Sequence, residues 1–157
     1  MKEYEKLKDL SVGDRAPDFA LPSIDGNEVS LDDLLGKGPV VIYFYPRDDT
    51  PGCTAEACSF RDSYEDFKDA GAEVVGISSD DAKKHKDFAK RHSLPFILLS
   101  DGSGEVRKRF RVPKTFGLMP GRVTFVLDSE GTIRYIFSSQ FKATEHISRT
   151  LDIIKNM

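Results

Sequence analysis

The stretch Pro39-Val-Val-Ile-Tyr-Phe-Tyr45 passes from a proline into three β-branched and then three aromatic residues. No polar residue interrupts it. A run of this kind describes a strand covered on both faces, as in a parallel sheet flanked by helices. Glu73-Val-Val-Gly-Ile-Ser78 repeats the pattern. Further on, Val123-Thr-Phe-Val-Leu127 and Thr132-Ile-Arg-Tyr-Ile-Phe137 bracket the turn signal Asp128-Ser-Glu-Gly131, so they read as an antiparallel hairpin. Upstream, residues 19–21 and 28–31 flank Asp25-Gly26-Asn27 and predict a small N-terminal β-hairpin. Three helices complete the pattern. Residues 54–70 place Phe60, Tyr64 and Phe67 at i, i+4 and i+7, with Gly71 as the stop. Residues 81–92 carry Phe88 and Ala89 inward, and residues 144–155 stack Ile147, Leu151 and Ile154. The order predicts an α/β fold: a central mixed sheet, helices on both faces and an antiparallel edge. Residues 1–10 alternate Lys and Glu around Leu7 and Leu10 and read as a short helix or a loose arm.

The chain has 157 residues and a net charge of −3, with 39% hydrophobic residues. A chain of that size buries roughly 68–70% of its unfolded surface and can hold a core without staples. No repeat or linker divides it, so residues 1–157 are expected to form a single domain. The acidic balance argues against general binding to nucleic acid or to anionic membranes. Residues 40–45 are the longest apolar run, against about 20 residues for a bilayer span and 7–15 for a signal peptide. The expectation is a cytoplasmic protein, or a plastid one if a transit peptide has been removed.

Chemistry concentrates just past the first buried strand, in Pro46-Arg-Asp-Asp-Thr-Pro-Gly-Cys53-Thr-Ala-Glu-Ala-Cys58. In open α/β sheets, ligands bind at this end of the strands. Cys53 falls at or just before the first turn of the next helix, where unpaired N–H groups and the helix dipole favour a thiolate. An ordinary thiol, with a pKa near 8.5, is only about 3% ionised at pH 7. Making it mostly thiolate takes about 3.4 kcal/mol, and a helix terminus supplies at most about 2. A nearby cation is therefore required. Cys53 precedes Phe60 by seven residues, so it lies about 20° from the core-facing stripe, at the floor of a pocket. Cys58 lies about 140° further round, and in an intact helix the two Cα atoms stand about 8.7 Å apart. A disulfide needs less than about 7 Å, so bonding within one chain would unwind the first turns. Taken alone, each cysteine also fits a blander part: Cys53 a small buried hydrophobe, Cys58 a surface thiol.

These residues carry a resemblance. Pro46-x-x-x-Thr50-x-x-Cys53 matches the peroxiredoxin active-site motif. The likeness extends over Gly13-Asp-Arg-Ala-Pro-Asp-Phe19, Tyr43-Phe-Tyr-Pro46 and Gly121-Arg-Val-Thr-Phe-Val-Leu-Asp128. A second cysteine five residues after the first, with Phe60-Arg-Asp-Ser-Tyr64 and Ser138-Ser-Gln-Phe141, is similar to the bacterioferritin-comigratory or Q-type group. The resemblance implies a thioredoxin-like fold and a thiol peroxidase acting on hydrogen peroxide and organic hydroperoxides. Cys53 would be the peroxidatic cysteine, oxidised to a sulfenic acid. Cys58 would be the resolving one, forming an intrachain disulfide that thioredoxin or a similar dithiol reduces. Thr50 would offer its hydroxyl to the thiolate and the peroxide. Pro46 would shield the site, and Arg122 would supply the cation. The backbone N–H of Gly52 would help bind the substrate. No cofactor or metal is implied, and resolution within one helix favours a monomer.

The competing class is a thioredoxin-like thiol–disulfide oxidoreductase without peroxidase activity. Its usual mark is C-x-x-C, where this chain has C-x₄-C, and Arg122 stands where such folds carry a proline before the hairpin strand. A copper carrier would need a histidine at the site. His85, His92 and His146 all fall on other elements. Asp48 and Asp49 read as solvated loop carboxylates. Residues 83–86 and Arg107-Lys-Arg109 with Arg111 read as solvated basic faces.

Overall fold

The computed structural model describes residues 6–7, 10–115, 119–138 and 145–157, with side chains from residue 10 on except those of 114–120. Its centre is a five-stranded sheet in which β11 (Ile133–Ser138), β10 (Val123–Leu127), β5 (Val40–Phe44), β6 (Glu73–Ser78) and β7 (Ile97–Ser100) lie side by side in that order. The first buried run is β5 (Val40–Phe44), and it is the middle strand. It pairs in parallel with β6 (Glu73–Ser78), which pairs in parallel with β7 (Ile97–Ser100). On its other side, β10 (Val123–Leu127) runs antiparallel, and β11 (Ile133–Ser138) closes the hairpin.

Both faces of this sheet are covered. On one face Ile42, Phe44, Val75, Ile77, Phe125 and Ile136 pack against Phe19, Leu31, Val106 and Phe110. On the other, Val41, Tyr43, Tyr45, Val74, Val126 and Phe137 pack against Cys53, Phe60, Phe67, Phe88 and Ile147. Alternate residues of one strand thus enter two separate cores, which is why the run reads as continuously apolar.

The small elements surround that frame. β1 (Lys6–Leu7) and β2 (Leu10–Ser11) form a ribbon, so the described part of the N-terminal segment is strand rather than the expected helix or arm. The expected N-terminal hairpin is β3 (Ala20–Pro22) with β4 (Glu28–Ser30). A short helix follows, α1 (Leu31–Leu34), closed by a capping box of Ser30 and Asp33. The expected helix over 54–70 is two: α2 (Pro51–Asp62) and α3 (Tyr64–Asp69). Ser63 breaks them, and Asp62-Ser63 is a weak helix-forming pair. Phe60 and Phe67 still share one core, so the apolar periodicity runs through the break. α4 (Ala82–His92) is capped by Asp81. α5 (Glu105–Arg109) follows β7, and β8 (Lys114–Thr115) pairs with β9 (Met119–Pro120). α6 is Glu145–Lys155; the expected first residue of that helix, 144, and residues 139–141 of the quoted motif lie outside the described residues. No described helix is long and apolar enough to cross a membrane.

Candidate active site

The chain leaves β5 at Tyr45 and turns through residues 46–50 into α2. Pro46 is half-buried at the strand's end. Thr50 is the N-cap residue, Pro51 takes the first helical position, and Cys53 sits in the first turn. The first helical hydrogen bond runs from Thr54 N to the Thr50 carbonyl at 2.8 Å. The N–H groups of Gly52 and Cys53 precede it and belong to the unpaired donors of a helix start. Cys53 is 1% exposed, at the floor of the second core, and Cys58 is half-buried one turn and a half further along. Both are free thiols.

The required cation is present. Arg122, only 4% exposed, directs its Nη2 at Cys53 Sγ across 3.5 Å. Its Nη1 donates to Glu56 Oε1 at 2.5 Å. Burial opposes the charge on Arg122, but Glu56 and Cys53 more than offset that, and the guanidinium is held above its ordinary value. Glu56 is fully buried, and burial raises its carboxyl to about 7 even with Arg122 pulling the other way. Behind it, His146 Nδ1 lies 3.7 Å from Glu56 Oε2 and 2.6 Å from Thr124 Oγ1. The Tyr43 hydroxyl is buried with no hydrogen-bond partner among the described residues. Burial, with Glu56 and Cys53 nearby, pushes that phenol well above its ordinary value, so it stays a neutral donor.

Two glycines let Arg122 stand here. A Cβ on Gly121 would lie 2.3 Å from the Pro113 carbonyl oxygen, so the backbone before Arg122 passes too close for any side chain. A Cβ on Gly52 would lie 3.0 Å from Arg122 Nη2. Thr50 departs from expectation in one respect: its hydroxyl donates to the Arg47 carbonyl at 3.0 Å.

The loop itself is tied from below. Tyr45 Oη donates to Asp48 Oδ1 and His85 Nδ1 meets Asp48 Oδ2, both at 2.6 Å. His85 Nε2 faces the Leu99 carbonyl at 3.0 Å; that oxygen only accepts, so Nε2 carries a hydrogen. Asp48 N donates to Asp80 Oδ2 at 2.7 Å. Asp49, at φ 63°, pairs with Arg91. Asp48 is therefore a buried hydrogen-bonded anchor and not a solvated carboxylate, and His85 points inward from a helix whose lysines face out. The ligand-type atoms of Asp48, Asp80 and His85 lie within 4.8 Å of one another. Both ring nitrogens, both Asp48 oxygens and Asp80 Oδ2 are already engaged, so this donor set does not suit a metal ion.

The structure brings Arg122 against Cys53 and Gly52, with Thr50 and Pro46 on the adjoining loop. Sequence reading missed Glu56, Asp48, His85, His146 and Arg107. Glu56 carried a signal, since position i+3 from Cys53 shares its helix face. Arg107 is buried, not part of a solvated basic face: it donates to the carbonyls of Gly121 and Tyr45.

A buried thiol at a helix start, facing a fixed guanidinium, defines a thiol-based redox enzyme. The chain belongs to the AhpC/TSA family, matching it over residues 12–136, and within it to the Q-type peroxiredoxins. It is similar to the chloroplastic peroxiredoxin Q of Triticum aestivum, at 56% identity over 149 residues, covering 94% of this chain and 68% of that one. Among solved structures it resembles peroxidoxin BcpB of Mycobacterium tuberculosis, with a TM-score of 0.86, 38% identity and 93% and 97% of the two chains covered. It also resembles peroxiredoxin Q of Xanthomonas campestris, with a TM-score of 0.81, 33% identity and coverage of 88% and 90%. The protein has the thioredoxin-like fold and is a thioredoxin-dependent thiol peroxidase.

Proposed function

We propose that Cys53 is the peroxidatic cysteine and Cys58 its resolving partner. The observation that carries this reading is Arg122 Nη2 aimed at Cys53 Sγ, both side chains buried, while Cys58 sits half-buried on the same helix. The Cys53 thiolate attacks the terminal oxygen of a hydroperoxide. The O–O bond breaks, the alkoxide leaves as an alcohol after taking a proton, and Cys53 becomes a sulfenic acid. The Cys58 thiol then displaces the sulfenic hydroxyl as water, and a disulfide forms within the chain. A thioredoxin-type dithiol reduces it by exchange.

Arg122 holds the thiolate and the peroxide oxygens, and stabilises the charge that moves onto the leaving oxygen. The Gly52 amide adds a second donor. Thr50 acts on the peroxide once its hydroxyl turns from the Arg47 carbonyl toward Cys53. Pro46 keeps water from that side. Hydrogen peroxide and organic hydroperoxides are the proposed substrates. Residues 1–157 act as one domain, because a single sheet supplies both cores, and as a monomer, because one helix carries both sulfurs. The proposed compartment is reducing, the cytoplasm or the plastid; the chloroplastic names of similar proteins favour the second.

The test is peroxide consumption coupled to NADPH oxidation through thioredoxin and its reductase. Wild type turns over, C53S is inactive, and C58S reacts once and stalls. A C53S protein that still consumes peroxide would refute the assignment.

A further inference from the structure

Arg107 is the second buried guanidinium of the site. It lies outside the active-site motif, on a short helix following β7. Asp101 builds that helix, accepting from Val106 N at 3.2 Å and Arg107 N at 2.9 Å. The side chain crosses beneath the site. Nη1 donates to the Gly121 carbonyl at 3.1 Å and Nη2 to the Tyr45 carbonyl at 2.9 Å. The guanidinium carbon stands 5.7 Å from the centre of the Phe44 ring. None of the salt bridges among the described residues uses it; burial lowers its affinity for the proton, while Asp101, Cys53 and Tyr45 work in the opposite sense. A buried cation with no ion pair among the described residues is costly, so its position calls for a reason.

The two carbonyls supply one. Tyr45 is the last residue before the Pro46 loop, and Gly121 is the residue before Arg122. The Gly121 N–H also donates to the Pro113 carbonyl at 2.8 Å, so both backbone groups of Gly121 are held, its oxygen by Arg107. One planar group thereby ties the strand end that leads into the Cys53 loop to the segment that carries Arg122, two points far apart in the chain. We propose that Arg107 is a positioning residue of the peroxidase: it fixes the Gly121–Arg122 segment against the end of β5, and so sets where Arg122 stands over Cys53. It touches neither the sulfur nor the peroxide. The inference rests on the reading of Cys53 as the peroxide-reactive thiol.

The test separates positioning from folding by a ratio. In a C58S background only Cys53 reacts. Its rate with hydrogen peroxide needs both a thiolate and a correctly placed Arg122. Its rate of alkylation by iodoacetamide needs the thiolate alone. Both are read by quenched-flow mass spectrometry. In R107Q, which cannot span the two carbonyls with a charged fork, the peroxide-to-alkylation ratio falls by about tenfold or more, as expected when a catalytic group drifts by up to an ångström. R107K keeps the charge but loses the two-armed geometry, and its ratio falls by about threefold or more. Loss of thiolate alone lowers both rates together and leaves the ratio unchanged, which would overturn the proposal. Both rates are read well below each variant's thermal midpoint, so that unfolding, which would expose the buried Cys53 to the alkylating agent, contributes to neither. Should R107Q not fold, R107K decides by the same ratio. A C58S parent inert to peroxide would refute the Cys53 assignment itself. An active parent with an unmoved ratio would refute only the role of Arg107.

Discussion

Substituting Gly52 by alanine separates the stability of the helix from the chemistry at its first turn. Gly52 follows Pro51 at the start of α2, where alanine is favoured over glycine by up to about 1 kcal/mol. On propensity alone G52A stabilises the protein. The new methyl, however, would stand 3.0 Å from Arg122 Nη2, closer than carbon and nitrogen pack comfortably. Relieving that contact takes a retreat of about half an ångström. The same Nη2 lies 3.5 Å from Cys53 Sγ. At an effective dielectric of about 20, opposite charges at that separation attract by about 4.7 kcal/mol, and about half an ångström further apart by about 4.1. The loss of about 0.6 kcal/mol corresponds to about a threefold lower rate. The expected result is a peroxide rate lowered about threefold or more in a protein whose thermal midpoint holds or rises. The assay pairs rapid-mixing peroxide oxidation with thermal unfolding. An unchanged or faster peroxide rate in folded G52A would refute the claim that the Arg122–Cys53 separation matters.

Two further expectations follow from the site. Glu56, raised to about 7 in the folded chain against about 4.3 in the unfolded one, holds a proton on folding; the stability this confers is complete below about pH 4.3 and is lost as pH rises to about 7, by up to about 3–4 kcal/mol. Denaturant unfolding at about pH 5 and about pH 8 should show that decline in wild type and a much flatter profile in E56Q; equal slopes would count against a buried Glu56 proton. The second concerns the oxidised enzyme. Because the two cysteines lie within an intact α2, disulfide formation must open its first turns, and hydrogen exchange over residues 53–59 should quicken on oxidation; identical protection in the two redox states would contradict it.

The strands that carry the site were legible because they are buried on both sides. β5, β6 and the β10–β11 hairpin needed no knowledge of their partners to be recognised. Ile97-Leu-Leu-Ser100 was different: four residues are too few to separate strand from helix, and only the pairing with β6 makes β7 a strand. The break at Ser63 leaves no mark on the apolar pattern, because Phe60 and Phe67 keep their shared face across it. At the site, the motif points to Cys53 and the wider resemblance to Arg122, but the groups around them cannot be read locally. Asp48 is buried by a histidine 37 residues away, and Arg107 by a carbonyl 62 residues away. Charged residues in hydrophilic stretches look solvated until the fold closes over them, and periodicity holds no record of that closure.

The unequal exposure of the two sulfurs bears on how the cycle restarts. Cys53 is almost wholly enclosed and Cys58 is open on one side. With the proposed roles, a dithiol that attacks Cys58, the sulfur nearer solvent in the closed helix, makes Cys53 the leaving group. A sulfur whose anion is well stabilised leaves faster. The guanidinium proposed to prepare Cys53 for attack on peroxide would then also ease its release from the disulfide, so that one charge serves both halves of the proposed cycle.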